Sequence, residues 1–221
     1  MKNHGGILAS LEGISGCGKT YLISKLQDEW RDTNATFIVE LSDRKSERLD
    51  QKIIEALYQT NDRFFRGGSP RTETFLLLAL KVFDYETTII EALNKGEIVI
   101  EDRSIDTIAV YQSIMLCLGQ PERMLDTANE IYALAAKWRY PPDITFLIED
   151  EFDIAVDRAQ TKVGRIFTDD ELDILHNAAH VYSEYASQHA DRIVRLDRRK
   201  MDKHQIVEKI KLDIMAMTQG K

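Results

Sequence analysis

The chain has 221 residues, room for one sizeable core with a small lid and little more. Its 43% hydrophobic and 30% charged content is ordinary for a folded protein, and eleven scattered glycines and four prolines argue against long linkers. A formal net charge of −8 excludes a surface that coats nucleic acid, which would need a broad field of Lys and Arg to displace counterions, so an anionic substrate calls for a local basic pocket.

ILASLE (7–12) reads as a strand and residues 18–30 as a helix; TFIVEL (36–41) is a second strand. A long helix is predicted over 72–94, ending at the Lys95-Gly96 pair, and EIVIED (97–102) is the third strand. Helices over 104–117 and 122–138 lead to ITFLIE (144–149). After Phe152 come a helix, a basic stretch and a helix over 169–189, then DRIVRL (191–196) and a last helix near 201–217. This alternation predicts an α/β fold, a five-stranded, mainly parallel sheet flanked by helices, in a single domain spanning 1–221. Residues 67–70, Gly-Gly-Ser-Pro, read as a flexible connection; Phe75, the leucines at 76–78, Trp30 and Trp138 read as packing residues. The two cysteines, Cys17 and Cys117, make no disulfide framework and no zinc spacing, which fits a reducing, cytoplasmic compartment. The N-terminus lacks a signal-peptide layout, and no apolar stretch reaches the roughly 20 residues of a membrane span.

GISGCGKT (13–20) matches G-x-x-x-x-G-K-[ST] in full, directly after a predicted strand and before a predicted helix. In that context the glycines let backbone N–H groups turn toward phosphate oxygens, and the helix N-terminus adds its positive end. Gly13, Ser15, Gly16, Cys17, Gly18, Lys19 and Thr20 are therefore the candidate ATP site, Lys19 neutralising the phosphates and Thr20 offering its hydroxyl to Mg²⁺. The pattern resembles that of P-loop NTPases, which implies a three-layer sandwich.

VIEDRSIDTIAVYQ (99–112) places an acid and an arginine at the C-terminal end of a strand, the edge where open α/β sheets bind ligands. Arg103 can clamp a phosphate with two prongs, and Asp102 can hold the Mg²⁺ shell. Arg158, Lys162 and Arg165 form a basic segment between acidic flanks, suited to closing over a transferring phosphoryl group. His176 and His180 stand four apart on a helix, without the pattern of a metalloprotease, and read as a solvent-facing pair; Glu149-Asp150-Glu151 reads as a solvated turn.

The string EG-x-x-G-x-GKT, a long helix, V-I-x-DR, YQ eight residues on and PDITFLI, in this order from Ile7 to about Ile214, resembles thymidylate kinase of the nucleoside monophosphate kinase group. The resemblance implies an ATP- and Mg²⁺-dependent kinase that phosphorylates a pyrimidine deoxynucleoside monophosphate, dTMP first, to the diphosphate. It implies a mobile lid at about 158–168 and a homodimer. By position, the family's phosphate-clamping arginine falls on Arg103, and its residues near the acceptor sugar and base fall on Thr107, Tyr111 and Gln112. Its pyrimidine-reaching arginine falls on Lys81, its base-stacking aromatic on Leu77, the glutamate after the second strand on Glu40 and its lid arginines on Arg158 and Arg165. With Lys19 and Arg103 these lid arginines are the expected catalytic groups. The acidic third residue of the phosphate loop is here Ser15, and the stretch after strand two is reduced to residues 39–42. Two alternatives follow from these departures. One is a deoxynucleoside kinase with Glu40 as base toward a 5′-hydroxyl, which the motif Asp102-Arg103-Ser104 also resembles; the other is a kinase for a modified nucleotide or another small molecule. In each, the partner is a small-molecule nucleotide acceptor, not nucleic acid or a membrane.

Overall fold

A computed structural model describes residues 4–31, 33–40, 49–58 and 62–219. Among them five strands form one sheet: β1 (Ile7–Glu12), β2 (Ala35–Ile38), β3 (Ile98–Asp102), β4 (Ile144–Glu149) and β5 (Ile193–Asp197). Their order is β2-β3-β1-β4-β5 and every pairing is parallel. β1 sits centrally, with β3 on one side and β4 on the other, so the loop that follows it opens into the crevice where the strand order reverses. Strand two is shorter than expected; Leu41 and Ser42 lie outside the described residues.

Alternation along β1 sorts its side chains between two layers. Ile7, Ala9 and Leu11 pack with Ile100 and Phe146 against Leu22 and Leu26 of α1 (Lys19–Glu29) and Ile206, Ile210 and Ile214 of α9 (Lys203–Gln219). Leu8 turns to the opposite face with Val99, against Ile89 and Leu93. Strand residues buried on both faces need helices on both, which gives the three-layer sandwich.

The long helix begins earlier than predicted, as α3 (Pro70–Asp84), and passes through a π-helical turn, Tyr85–Ile89, into α4 (Ile90–Asn94). Thr87 Oγ1 bonds back to Phe83 O at 2.7 Å in this turn, a side-chain competitor for helical carbonyls. The connection before α3 is organised rather than loose: Glu73 Oε1 accepts from Gly67 N at 2.8 Å and Ser69 N at 2.9 Å, and Pro70 opens the helix. A helix without a sequence forecast, α2 (Leu49–Leu57), packs Ile54 and Leu57 into the core on that side. Next come α5 (Ile105–Leu116), α6 (Met124–Ala135), α7 (Phe152–Val163) and α8 (Asp169–Gln188), the last started by Thr168 and Glu171 bonded reciprocally to each other's backbone. Two packing expectations fail. Trp30 is buried at 6% exposure, but Trp138 is 53% exposed beyond the end of α6, and Phe75 is 60% exposed because it falls on the outer face of α3. Among the described residues no helix is long and apolar enough to cross a membrane.

Behind β3 lies a chain of buried charges. Arg139 grips Glu101 with two bonds, 3.0 and 2.7 Å, and Lys81 Nζ stands 3.8 Å from the same carboxylate. All three side chains are almost fully enclosed. Removing the shared anion would leave two cations facing each other without solvent. Glu101→Gln should therefore cost about 3–5 kcal/mol in urea unfolding, whereas replacing all three together, Glu101→Leu with Arg139→Met and Lys81→Met, should cost clearly less.

Candidate active site

β1 ends at Glu12 and the chain turns at Gly13, whose φ of 131° and close approach to β4 exclude a side chain: a Cβ there would lie 2.4 Å from Ile148 O. Gly16, at φ 83°, faces Ala155 O of α7 at a distance a Cβ would cut to 1.8 Å. The loop is thus pressed between β4 and α7. Lys19, the first residue of α1, bends back across it and donates to Gly13 O at 2.9 Å and Ile14 O at 3.0 Å. Cys17 is fully buried beneath the loop.

Facing this loop, Arg103 follows β3 in a left-handed conformation, φ 66°, unusual for a residue with a side chain and worth about 1–3 kcal/mol of strain. Three contacts hold it there. Arg103 N donates to Leu11 O at 3.2 Å, the next amide, Ser104 N, donates to Glu12 Oε1 at 2.6 Å, and Lys81 Nζ donates to Arg103 O. The turn aims the guanidinium at the loop, where Nη1 donates to Gly13 O at 3.1 Å and Nε to Glu40 Oε1 at 2.7 Å. Burial pushes the Glu40 carboxyl up, but Arg103 and then Lys19 outweigh it and hold Glu40 below the usual carboxylate range. Burial would likewise discharge Arg103, and Glu40 overrides it, keeping the guanidinium charged.

Between them lies a cavity of about 540 Å³. Its lining includes Ser15, Gly16, Gly18, Lys19 and Thr20 from the phosphate loop, Glu40, Leu77, Lys81, Arg103, Thr107, Tyr111 and Gln112, and Arg158 and Lys162 of α7. Cations crowd this lining, and Glu40 is its one acid among the described residues. That is the local basic pocket an acidic protein needs for an anionic substrate. Asp102 stands behind it, buried, with Oδ1 free of any hydrogen-bond partner and its pKa raised first of all by burial.

One expected catalytic residue lies outside the cavity, and two expected substrate-binding residues that line it spend their polar groups on neighbours. Arg165 does not border the cavity: its guanidinium is locked onto Glu171 by two 2.7 Å bonds. Lys81 Nζ points to the carbonyl of Arg103 and to Glu101, under the clamp rather than out into the cavity. Gln112 Oε1 accepts from Thr74 Oγ1 at 2.9 Å. The acidic run after β4 is no solvated turn: Asp150 binds both Arg158 and Arg198, and Glu149 binds Arg195. His176 and His180 are both exposed, His180 lying 3.6 Å from Glu184.

Sequence reasoning missed an aromatic wall. Tyr58, Phe64 and Phe65 join Leu77 and Tyr111 around the cavity, Phe64 stacked on Tyr111 at 5.9 Å between ring centres. It also missed Glu12, fully buried, which accepts from Ser104, Thr107 and Tyr182. An acid fixed at the end of the first strand was the available signal for Glu12. The wall had none, since 62–66 has no period.

A family model described as thymidylate kinase matches residues 11–210, the span that contains the loop, the clamp and the cavity walls. The chain belongs to the thymidylate kinase family. Thymidylate kinase of Caldanaerobacter subterraneus is 28% identical over 192 residues, covering 87% of each chain. That of Maridesulfovibrio salexigens is 28% identical, covering 94% of this chain and 98% of its own. A probable thymidylate kinase of Halorubrum lacusprofundi is 30% identical over 194 residues, covering 86% and 89%. Among solved structures, thymidylate kinase from Ehrlichia chaffeensis shares the fold at a TM-score of 0.66 and 17% identity, covering 93% of this chain and 98% of that one. The expected fold and family therefore hold, and the chain is a P-loop nucleotide kinase of the thymidylate kinase family.

The Arg165–Glu171 lock has a pH signature. Hydrogen bonds from Arg165 hold Glu171 down at about 2, against an ordinary 4.5. A depressed carboxylate contributes stability that is complete above 4.5 and is lost as pH falls toward 2. Glu171→Gln should remove this part of the acid-induced fall in melting temperature, measured by thermal denaturation across that window.

Proposed function

We propose that the chain transfers the γ-phosphoryl group of ATP to the 5′-phosphate of dTMP, giving the diphosphate. The observation that carries this reading is Arg103. A strained turn, braced from three sides, presents a charged two-pronged donor across a cation-rich cavity from the phosphate loop. Two anions can be held there with their reacting atoms facing, and positioning and charge compensation supply most of the catalysis of phosphoryl transfer. The wall of Tyr58, Phe64, Phe65, Leu77 and Tyr111 offers the apolar faces on which a nucleobase stacks.

In this reading Lys19 swings from the carbonyls of Gly13 and Ile14 to the phosphates, and Arg158 leaves Asp150 to meet the transferring group. Arg165 joins only if its bonds to Glu171 open, so the lid at 158–168 would move as one step of the cycle. Glu40 is a positioning acid for Arg103. Lys81 acts on the same arginine through its backbone carbonyl and takes no part in reading the base.

Mg²⁺ fits the residues present. A buried carboxylate oxygen of Asp102 without a partner, together with the Thr20 hydroxyl, suits a hard cation that keeps waters and phosphate oxygens as its other ligands. Among the described residues no group of three or more His, Cys, Asp or Glu side chains is placed to hold a metal, so phosphate oxygens and water would have to supply the remaining ligands. When bound, the ion would neutralise charge on the phosphates. The chain would work as one kinase domain, in the cytoplasm and as a homodimer, as the resemblance implies.

The test is ADP release from ATP and Mg²⁺ with dTMP, dUMP and free thymidine. Turnover of dTMP without turnover of thymidine is expected; the reverse, with loss of activity in Glu40→Gln, would make Glu40 a base toward a 5′-hydroxyl and overturn the reading. Arg103→Gln should raise the KM for dTMP by about 10- to 100-fold, as loss of a charge-assisted pair predicts. Lys81→Met should raise KM for dTMP and dUMP by the same factor, since its contact is to the clamp.

A further inference from the structure

The segment that joins α2 to α3 carries Arg63 over the phosphate loop. Its Nη2 donates to Ser15 Oγ at 3.0 Å, and its guanidinium carbon lies 4.0 Å from the centre of the Phe167 ring and 4.9 Å from that of Phe64. Nη1 is shut off from solvent without a hydrogen-bond partner. Around the same cavity, Arg103 is paired with Glu40 and Arg158 and Arg198 share Asp150, while Arg165 beyond it is paired with Glu171. Arg63 has no carboxylate partner among the described residues.

A buried cationic donor left without a partner is costly, more so than a neutral one. Burial depresses the basicity of Arg63, and the like charges of Arg165 and Arg103 add to that, only partly offset by Tyr111 and Glu171. The aromatic rings fix the plane of the guanidinium but leave Nη1 unsatisfied. An anion entering the cavity, which Arg63 lines, would offset the charge, and a turn of the guanidinium toward it would give Nη1 its partner.

The two ends of the phosphate loop are served by different arginines. Arg198 reaches the second half, at Cys17 O, whereas Arg103 and Arg63 reach the first half, at Gly13 O and Ser15 Oγ. We propose that Arg63 is a second phosphate-binding arginine of the acceptor site, closing with Arg103 on one phosphate dianion. This rests on the kinase reading for the identity of the acceptor, though not for the anion. It also gives Ser15 a role. A hydroxyl at this position orients Arg63 and leaves its charge uncompensated, whereas a carboxylate there would pair with the guanidinium and compete with the phosphate for it.

The experiment uses the full chain with ADP and Mg²⁺ saturating the donor side and inorganic phosphate as the probe, followed by steady-state kinetics with ATP and dTMP. Arg63→Gln and Ser15→Asp should each weaken inorganic phosphate binding about tenfold or more and raise the KM for dTMP to a similar extent, leaving the KM for ATP within about twofold. Thermal melting checks that each variant is folded. If Arg63→Gln is not, Arg63→Lys keeps the stem and charge without the fork and should show the same pattern more weakly. Unchanged phosphate and dTMP affinities, with or without a lower melting temperature, would overturn the proposal and reduce Arg63 to a packing residue on Phe167. A rise in the KM for ATP in place of dTMP would overturn it in favour of the donor's terminal phosphate. If the wild type does not turn over dTMP but the variants still lose inorganic phosphate, the substrate assignment falls and the Arg63 site stands.

Discussion

One carboxylate holds the two halves of this site together. Glu12 is the last residue of β1, and its oxygens accept from the Ser104 amide and hydroxyl, from Thr107 on the first turn of α5 and from Tyr182 on α8. The residue after Glu12 begins the phosphate loop and the residue before Ser104 is Arg103. The phosphate loop and Arg103 are therefore referenced to the same buried group. Burial and the nearby Asp106 push the Glu12 carboxyl up, and the hydrogen bonds from Thr107 and Ser104 oppose that shift. Asp106 is itself neutralised by Arg192, bonded through both nitrogens at 2.8 and 2.9 Å, with Tyr185 and Thr145 completing its shell.

The cavity's electrostatics follow from how its cations are kept before any phosphate arrives. An acidic protein gathers many positive side chains at one crevice, where mutual repulsion would raise the cost of folding. Carboxylates absorb most of it. Glu40 holds Arg103, Asp150 holds Arg158 and Arg198, and Glu171 holds Arg165 just beyond the cavity. Each pair is a contact that a phosphate oxygen can replace. The partly exposed pairs, those of Arg158 and Arg165, exchange most cheaply because water already screens them. Those two arginines lie on the segment expected to move. Arg103 is enclosed and braced at its backbone, which suits a fixed clamp.

Much of the architecture was legible from pattern alone. Apolar runs at strand length, alternating with longer amphipathic stretches, identify a parallel sheet between helices because strands buried on both faces leave no polar side to confuse the count. GISGCGKT identified the phosphate loop because its glycines answer a local steric demand, visible at Gly13 and Gly16. What pattern did not show was α2, the π-helical turn and the organised segment 62–69. Their conformations are set by individual side-chain contacts that no periodicity announces, some local, such as Glu73 capping Gly67, and some across the fold, such as Phe64 stacking on Tyr111.

By itself, then, the sequence determined the fold class, the phosphate loop and the acid-arginine pair at the end of β3, since each depends on neighbours within a few residues. Only the tertiary structure decided what each charged side chain does. Lys81 turned from the base to the carbonyl of Arg103 because Glu101, on the strand beside it, and Arg139 enclose it in a buried network. Arg165 turned from the cavity to Glu171 because the start of α8 offers a carboxylate six residues away. Arg63, anonymous in its segment, came to lie over Ser15, 48 residues earlier in the chain. The reason is physical: a charge is placed by whichever opposite charge or dipole the fold brings within about 3 Å, and that choice is made by packing across elements rather than along the chain.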